Sequence, residues 1–154
     1  KRMGLPIDQL IIATNANDIL HRCIADNDHS LQTLVQSLSP SMDIMVSSNF
    51  ERMLFDLYDR DGHAINILMS NFKRDGKLTL NDSALIKARK LFSSYRLDDQ
   101  AMMQVMLHVW ESTGYYSDPH TAIGIEASRT ALYHELINVT SEDAMNYRHL
   151  SLLI

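Results

Sequence analysis

The sequence predicts an α/β fold, helix-rich, with a few buried parallel strands. Three observations point there. Leu10-Ile11-Ile12-Ala13 is a short, unbroken apolar run, the mark of a strand covered on both faces. Leu150-Ser151-Leu152-Leu153-Ile154, interrupted only by Ser151, is a second buried-strand pattern at the other end of the chain. Between them, apolar residues recur at helical spacing in segment after segment. Helix end, turn and buried strand make half of an α/β unit. The picture is of two interior strands flanking a helical middle, within a single segment over residues 1–154.

Taken in order, Lys1 to Met3 read as the last turn of a helix, with Gly4 as its left-handed cap and Pro6 preventing continuation. The first strand stops at the polar cluster Thr14-Asn15-Ala16-Asn17-Asp18. In open α/β sheets ligands sit beyond the carboxyl ends of strands, so this cluster is a candidate site. The alternative is local: Asn17 or Asp18 caps the helix carrying Ile19, Leu20 and Ile24. Asp26-Asn27-Asp28-His29-Ser30 reads as a solvated turn, because its spacing fits no zinc or calcium motif.

Ser48 and Glu51 have capping-box spacing. Phe50, Met53, Leu54, Leu57 and Tyr58 then form one buried stripe. After Asp61-Gly62, the residues Ala64, Ile65, Leu68, Met69 and Phe72 form the next, closed by Asp75-Gly76. Asn81 or Asp82 caps a helix with Leu85, Ala88 and Phe92 on one face. Asp98 caps another, with Ala101, Met102, Val105, Met106 and Val109 on one side. Met103, Leu107 and Trp110 broaden that face, so burial is expected around much of this helix. Asp118-Pro119 is a strong helix start running to Ile137.

A length of 154 residues is enough for a real core. The net charge of −5 argues against a nucleic-acid footprint, which needs a basic excess. No apolar run approaches the length of a membrane span. The single Cys23 excludes an internal disulfide framework and suits a reducing, cytoplasmic setting. No signal peptide opens the chain, and a start at Lys1 rather than methionine reads as a cut.

Motifs for chemistry are sparse. Residues 71–82 mimic a calcium loop, with Gly76 and Asp82 at its sixth and twelfth places. Lys73 stands where an oxygen ligand belongs, so an ordinary glycine turn is the better reading. His134-Glu135 lacks the second histidine of a zinc-protease helix. No metal site is assigned. Cys23 has no evident activating partner. His120 stands out. It sits in the first turn of the helix begun by Asp118 and Pro119, where free N–H groups attract anions and a phosphorylated substrate would suit. The alternative is that His120 packs locally.

Three separated blocks carry a family resemblance. Ser39-Pro40-Ser41-Met42-Asp43-Ile44 is followed by Ser47-Ser48-Asn49-Phe50-Glu51-Arg52. Gly4-Leu5-Pro6 leads to Ala13-Thr14-Asn15-Ala16-Asn17-Asp18. The third is Gly114-Tyr115-Tyr116-Ser117-Asp118-Pro119-His120-Thr121-Ala122. Together they resemble threonine synthase, of the fold type II pyridoxal phosphate enzymes. The resemblance implies conversion of O-phospho-L-homoserine and water to L-threonine and phosphate, in a protein of which this chain is an interior piece. It also implies a Schiff-base lysine, a phosphate-cradling glycine loop and a threonine facing the cofactor ring. None is found in this sequence, so no catalytic or cofactor-binding residue is assigned. Thr14, Asn15, Asn17, Asp18, Asp118 and His120 are expected to line the active site. The implied partners are O-phosphohomoserine and the remainder of the parent polypeptide. The alternative is a noncatalytic threonine synthase-like protein binding a phosphorylated metabolite or a protein partner.

Overall fold

A computed structural model describes residues 4–7, 9–138 and 151–153, and side chains as far as residue 133. The expected helical turn at Lys1–Met3 lies outside the described residues. Gly4 does adopt the left-handed conformation of a cap, at φ 82°.

The main sheet is parallel, in the order β4-β1-β5. Strand β1 (Leu10–Thr14) is central, between β4 (Phe92–Arg96) and β5 (Ser151–Leu153). Side chains alternate across a strand, and here the alternation divides two cores. Ile12 faces a cluster that includes Ile19, Phe50, Leu54, Phe72 and Phe92. Ile11 and Ala13 face the other, with Leu97, Met102, Ala122 and Ile123. Burial on both faces is why the β1 run is continuously apolar.

Strand β4 corrects the sequence reading, which placed Phe92 on a helix. Helix α4 (Asp82–Leu91) ends one residue earlier. Phe92 then pairs with Leu10, and the register runs through Thr14 opposite Arg96. Ser93 and Ser94 hide this strand from an apolar-run criterion. The sheet therefore has three described strands rather than two.

Helix α1 (Ile19–Asp26) leads to β2 (His29–Ser30), which pairs antiparallel with β3 (Lys77–Leu78). The solvated turn expected over 26–30 is corrected at His29. Its ring is 2% exposed, stacked on Phe50 with centroids 4.3 Å apart and tilted against Phe72. Pairing with Leu78 draws the imidazole under the adjoining helices. Lys77 and Leu78 of the calcium-like stretch are thus strand residues. Gly76 turns the chain at φ 66°, and its carbonyl accepts the Leu31 N–H at 2.7 Å.

Helix α2 (Phe50–Leu57) buries the expected stripe residues Phe50, Leu54 and Leu57. The capping box does not form. Phe50 N–H donates to the Ser47 carbonyl, so Ser48 lies inside the entry turn, and Asn49 takes the cap position without a side-chain bond. Helix α3 (Gly62–Asp75) starts on Asp61, whose carboxylate accepts the His63 and Ala64 N–H groups. Of the two caps considered for α4, Asn81 holds the place, accepting the Ala84 N–H at 2.8 Å. An Asn81→Ala change will cost about 1 kcal/mol, read as a lowered urea midpoint with an unchanged slope.

Helix α5 (Asp99–Thr113) is capped by Asp98 as expected. Its burial is less than expected. Met102 is buried, but Met103, Leu107 and Trp110 are 43–50% exposed. The helix packs on α6 (Pro119–Asn138) along one side, and its apolar character extends past that contact.

Candidate functional site

Just beyond the carboxyl end of β1 the chain folds back over itself. The returning segment is residues 35–43, which includes a short 3-10 turn at Pro40–Met42. Two asparagines from the polar cluster hold it. Asn15 and Asn17 are 1% and 2% exposed, so their amides must be paired. Asn17 Oδ1 accepts the Val35 N–H at 2.8 Å, and its Nδ2 donates to the Val35 carbonyl at 2.7 Å. That side chain mimics a neighbouring strand. Asn15 Oδ1 accepts the Asn17 N–H at 2.9 Å, fixing the turn between the two.

Both amides converge on Asp43. Its Oδ1 accepts from Asn15 Nδ2 at 2.8 Å, Asn17 Nδ2 at 2.7 Å and Ser37 Oγ at 2.6 Å. Its Oδ2 accepts the Ser37 N–H at 3.1 Å. Partial burial by itself would raise the pKa of this carboxyl. The hydrogen bonds from Ser37, Asn15 and Asn17 outweigh it and hold the pKa below the ordinary value of 3.8. Ser39, fully buried, lies within 2.9 Å of Asn15 Nδ2.

This fold-back closes one side of a cavity of about 490 Å³. Its floor is apolar, with Ile12, Leu20, Phe50, Met53 and Phe92. Thr14, Asn17, Ser41, Ser47, Asn49 and His120 supply the polar groups. A mostly apolar hollow with a few convergent polar groups, at the end of a central parallel strand, is where a ligand site belongs. A larger, shallower groove of about 700 Å³ runs between α2 and α3 and takes none of these strand-end residues.

The six residues expected at the site divide. Thr14, Asn17 and His120 line the cavity. Asn15 lies behind it, within the fold-back. Asp118 stands beside it, holding His120. Asp18 is drawn away: its carboxylate meets Arg22 Nε and Arg96 Nη1, each at 2.9 Å. Burial raises its pKa, and the two guanidinium groups more than reverse the effect. Neither Asn17 nor Asp18 caps α1 with its side chain. The local capping alternative holds in position alone: Asp18 is the N-cap residue and its carbonyl accepts the Arg22 N–H at 2.9 Å, but its carboxylate is engaged by the arginines, and Asn17 is engaged by Val35 and Asp43.

The start of α6 is filled by its own carboxylate. Asp118 Oδ1 accepts the His120 and Thr121 N–H groups, and Oδ2 accepts the Thr121 hydroxyl. The Thr121 hydroxyl and amide, then His120, hold the Asp118 pKa down to about 2. The free N–H groups that made this turn attractive to an external anion are thus already taken. His120 itself bridges two elements. Nδ1 lies 3.2 Å from Asp118 Oδ1, and Nε2 accepts the Ser41 N–H at 3.3 Å. An acceptor at Nε2 leaves the ring proton on Nδ1, facing the carboxylate.

Sequence reasoning missed Ser37, Ser39 and Asp43 as site-shaping residues. Ser39 and Asp43 stand in the stretch that carries the family resemblance and Ser37 just before it, but their partners lie 22–28 residues earlier. Among the described residues, no group of three or more His, Cys, Asp or Glu could hold a metal ion. No lysine or arginine lines the cavity. Hydroxyls, amides and one imidazole do not by themselves fit pyridoxal phosphate, which needs an amine for its aldehyde and a cradle for its phosphate. Lys87 is committed elsewhere, to Asp59 and the Leu57 carbonyl. Cys23 is buried, and that burial pushes its thiol up to about 12. No helix among the described residues is long and apolar enough to cross a membrane.

No protein-family model matches the chain. It is 53% identical to the threonine synthase of Pseudomonas aeruginosa over 129 residues, covering 84% of this chain and 28% of that protein. The crystal structure of PLP-bound threonine synthase from Brucella melitensis matches with a TM-score of 0.82 at 32% identity, covering 99% of this chain and 39% of that one. Yeast threonine synthase matches with a TM-score of 0.83 at 34% identity, covering 87% of this chain and 29% of that one. The chain thus spans well under half the length of each. Similar in sequence over most of its length and in fold over nearly all of it, this chain belongs to the threonine synthase family, and its helix-rich α/β body is part of that fold type II architecture.

Proposed function

We propose that the protein carrying this chain is a threonine synthase, a pyridoxal-phosphate-dependent carbon–oxygen lyase acting on a phosphate ester. It converts O-phospho-L-homoserine and water to L-threonine and inorganic phosphate. The observation that carries this reading is the 53% identity to a threonine synthase across most of the chain. When bound, the cofactor supplies an electron sink for carbanion chemistry. This chain supplies one wall of the cleft. Thr14, Asn17 and His120 line the cavity over an apolar floor suited to the short aliphatic chain of the substrate, with the Asn17 amide engaged in holding the fold-back. Asn15 and Asp118 hold that wall in place, and Asp18 ties its base to β4. The Schiff-base lysine and the cationic groups that meet phosphate come from the remainder of the polypeptide. The setting is the cytoplasm, in keeping with a single buried thiol.

The test uses the complete polypeptide with pyridoxal phosphate and O-phosphohomoserine. The expected result is phosphate and threonine released in equal amounts. Phosphate without threonine would replace the lyase with a phosphatase. Cofactor or substrate binding without either product would replace it with a noncatalytic threonine synthase-like protein.

A further inference from the structure

We infer that Asp43 is a positioning residue of the cleft: its carboxylate fastens the 35–43 fold-back to the end of β1 and so sets the wall that carries Ser41 and His120. This deepens the reading above and rests on it for its kinetic consequence alone.

The argument starts from how the fold-back is attached. Between Val35 and Ser39 the described tethers to other parts of the chain run through side chains. Asn17 grips Val35, Asn15 reaches Ser37 and Ser39, and Asp99 accepts the Leu38 N–H at 3.1 Å. Asn15 and Asn17 are both oriented by one oxygen, Asp43 Oδ1, which accepts three bonds of 2.6–2.8 Å. Asn15 Nδ2 has two protons but lies within 3.4 Å of four oxygens. The ionised carboxylate is the strongest acceptor among them and decides which way that amide points.

The consequence reaches the cavity along the backbone. Asp43 N–H donates to the Pro40 carbonyl at 3.1 Å, closing the 3-10 turn. Ser41, inside that turn, gives its N–H to His120 Nε2 at 3.3 Å. Ser41, Met42 and His120 are all cavity-lining residues. A carboxylate outside the cavity therefore fixes both the fold-back and the turn against α6. An asparagine at this position cannot do the same. With its oxygen toward the three donors, its NH2 faces the Ser37 N–H, donor against donor.

The experiment compares Asp43→Asn with Arg89→Met in the complete polypeptide. Arg89 donates to the Ile24 and Ala25 carbonyls at the far end of α1, so its loss is a stability control remote from the cavity. Amide hydrogen exchange is read first. In Asp43→Asn the Val35 and Ser41 amides are expected to exchange at least about tenfold faster than in Arg89→Met, with β1 amides alike in the two. The kcat/KM for O-phosphohomoserine is expected to fall at least about tenfold below the control, mainly in kcat, because the wall is displaced rather than chemically altered. Should Asp43→Asn fail to fold, Ser37→Ala, which removes the shortest of the three bonds, takes its place. Equal exchange at Val35 and Ser41 in variant and control overturns the inference. So does faster exchange with unchanged kinetics, which would make Asp43 structural only. Absence of threonine formation in the wild-type protein would sink the proposed function instead, and the exchange comparison still decides the role of Asp43.

Discussion

Acidification from pH 6.5 to 4 will remove about 3 kcal/mol of stability through His29 alone. The ring is buried between Phe50 and Phe72, and Nδ1 has no hydrogen-bond partner. Burial, with Arg22 nearby, lowers its pKa from 6.5 to about 4, against smaller opposing effects from the Ile19 backbone and Asp28. The sign follows from proton counting. The unfolded chain binds a proton at about 6.5, and the folded chain resists until about 4. Across that window the unfolded state holds more protons, so stability rises with pH. The contribution is complete above pH 6.5 and is lost progressively on acidification, at about 1.4 kcal/mol per pH unit. Below pH 4 this group adds no further loss. The carboxylates Asp18, Asp28 and Asp43, all held below 3.8, then take over. Urea unfolding at pH 7 and pH 4 measures the difference. In His29→Phe, which keeps an aromatic ring in the stack, the drop across this window should shrink by about 3 kcal/mol. An unchanged drop would place the acid sensitivity elsewhere.

What was legible in the sequence follows from how local each signal is. Strand β1 was readable because both of its faces are buried, so hydropathy alone marks it. Strand β4 was not. Phe92 continues the spacing of Leu85 and Ala88, and the next two residues are serines whose pairing with β1 depends on a segment about 80 residues away. Ser48 and Glu51 show the opposite failure. The right residues stand at the right spacing, but the turn closed at Ser47 starts the helix too late for them to cap it. Asp98 and Asp118 were readable as caps because a cap is satisfied within three residues.

The site divides by the same rule. Thr14, Asn15 and Asn17 were exposed to reasoning as polar residues at the end of a buried strand. Their common partner Asp43 was not, because nothing near Asp43 says that two buried asparagines will return to it. His120 was singled out for the anion-attracting end of a helix. The structure keeps the residue at the cavity but changes the physical reason: Asp118 neutralises the helix start, and the ring instead joins α6 to the 3-10 turn. The position of His120 at the cavity thus rests on a contact with Ser41 that the helix-start motif does not encode.

Asp18→Ala will cost about 2–3 kcal/mol, short of the full penalty for breaking a buried ion pair. The carboxylate is 5% exposed and is shared by two guanidinium groups. Their environments differ. Arg22 is 11% exposed, so losing Asp18 leaves a cation in a poorly solvated position. Arg96 is 51% exposed, and water can replace most of what it loses. The cost is moderated because Arg22 keeps Asp28 and the Ser30 carbonyl as partners. Double-mutant cycles separate the two contributions. Coupling between Asp18→Ala and Arg22→Met should be the larger, and coupling with Arg96→Met should fall within the surface-pair range of about 1 kcal/mol or less. Equal couplings would mean that burial does not distinguish the pairs. The geometry gives the inequality a functional edge. Arg96 is the last residue of β4, opposite Thr14 at the end of β1. Asp18 therefore ties the two strand ends below the cavity while Asn17, one residue earlier, lines its edge and holds the fold-back. Its loss should destabilise the fold and loosen that junction, with Thr14, whose hydroxyl donates to the Tyr95 carbonyl at 3.2 Å, the first cavity residue to move.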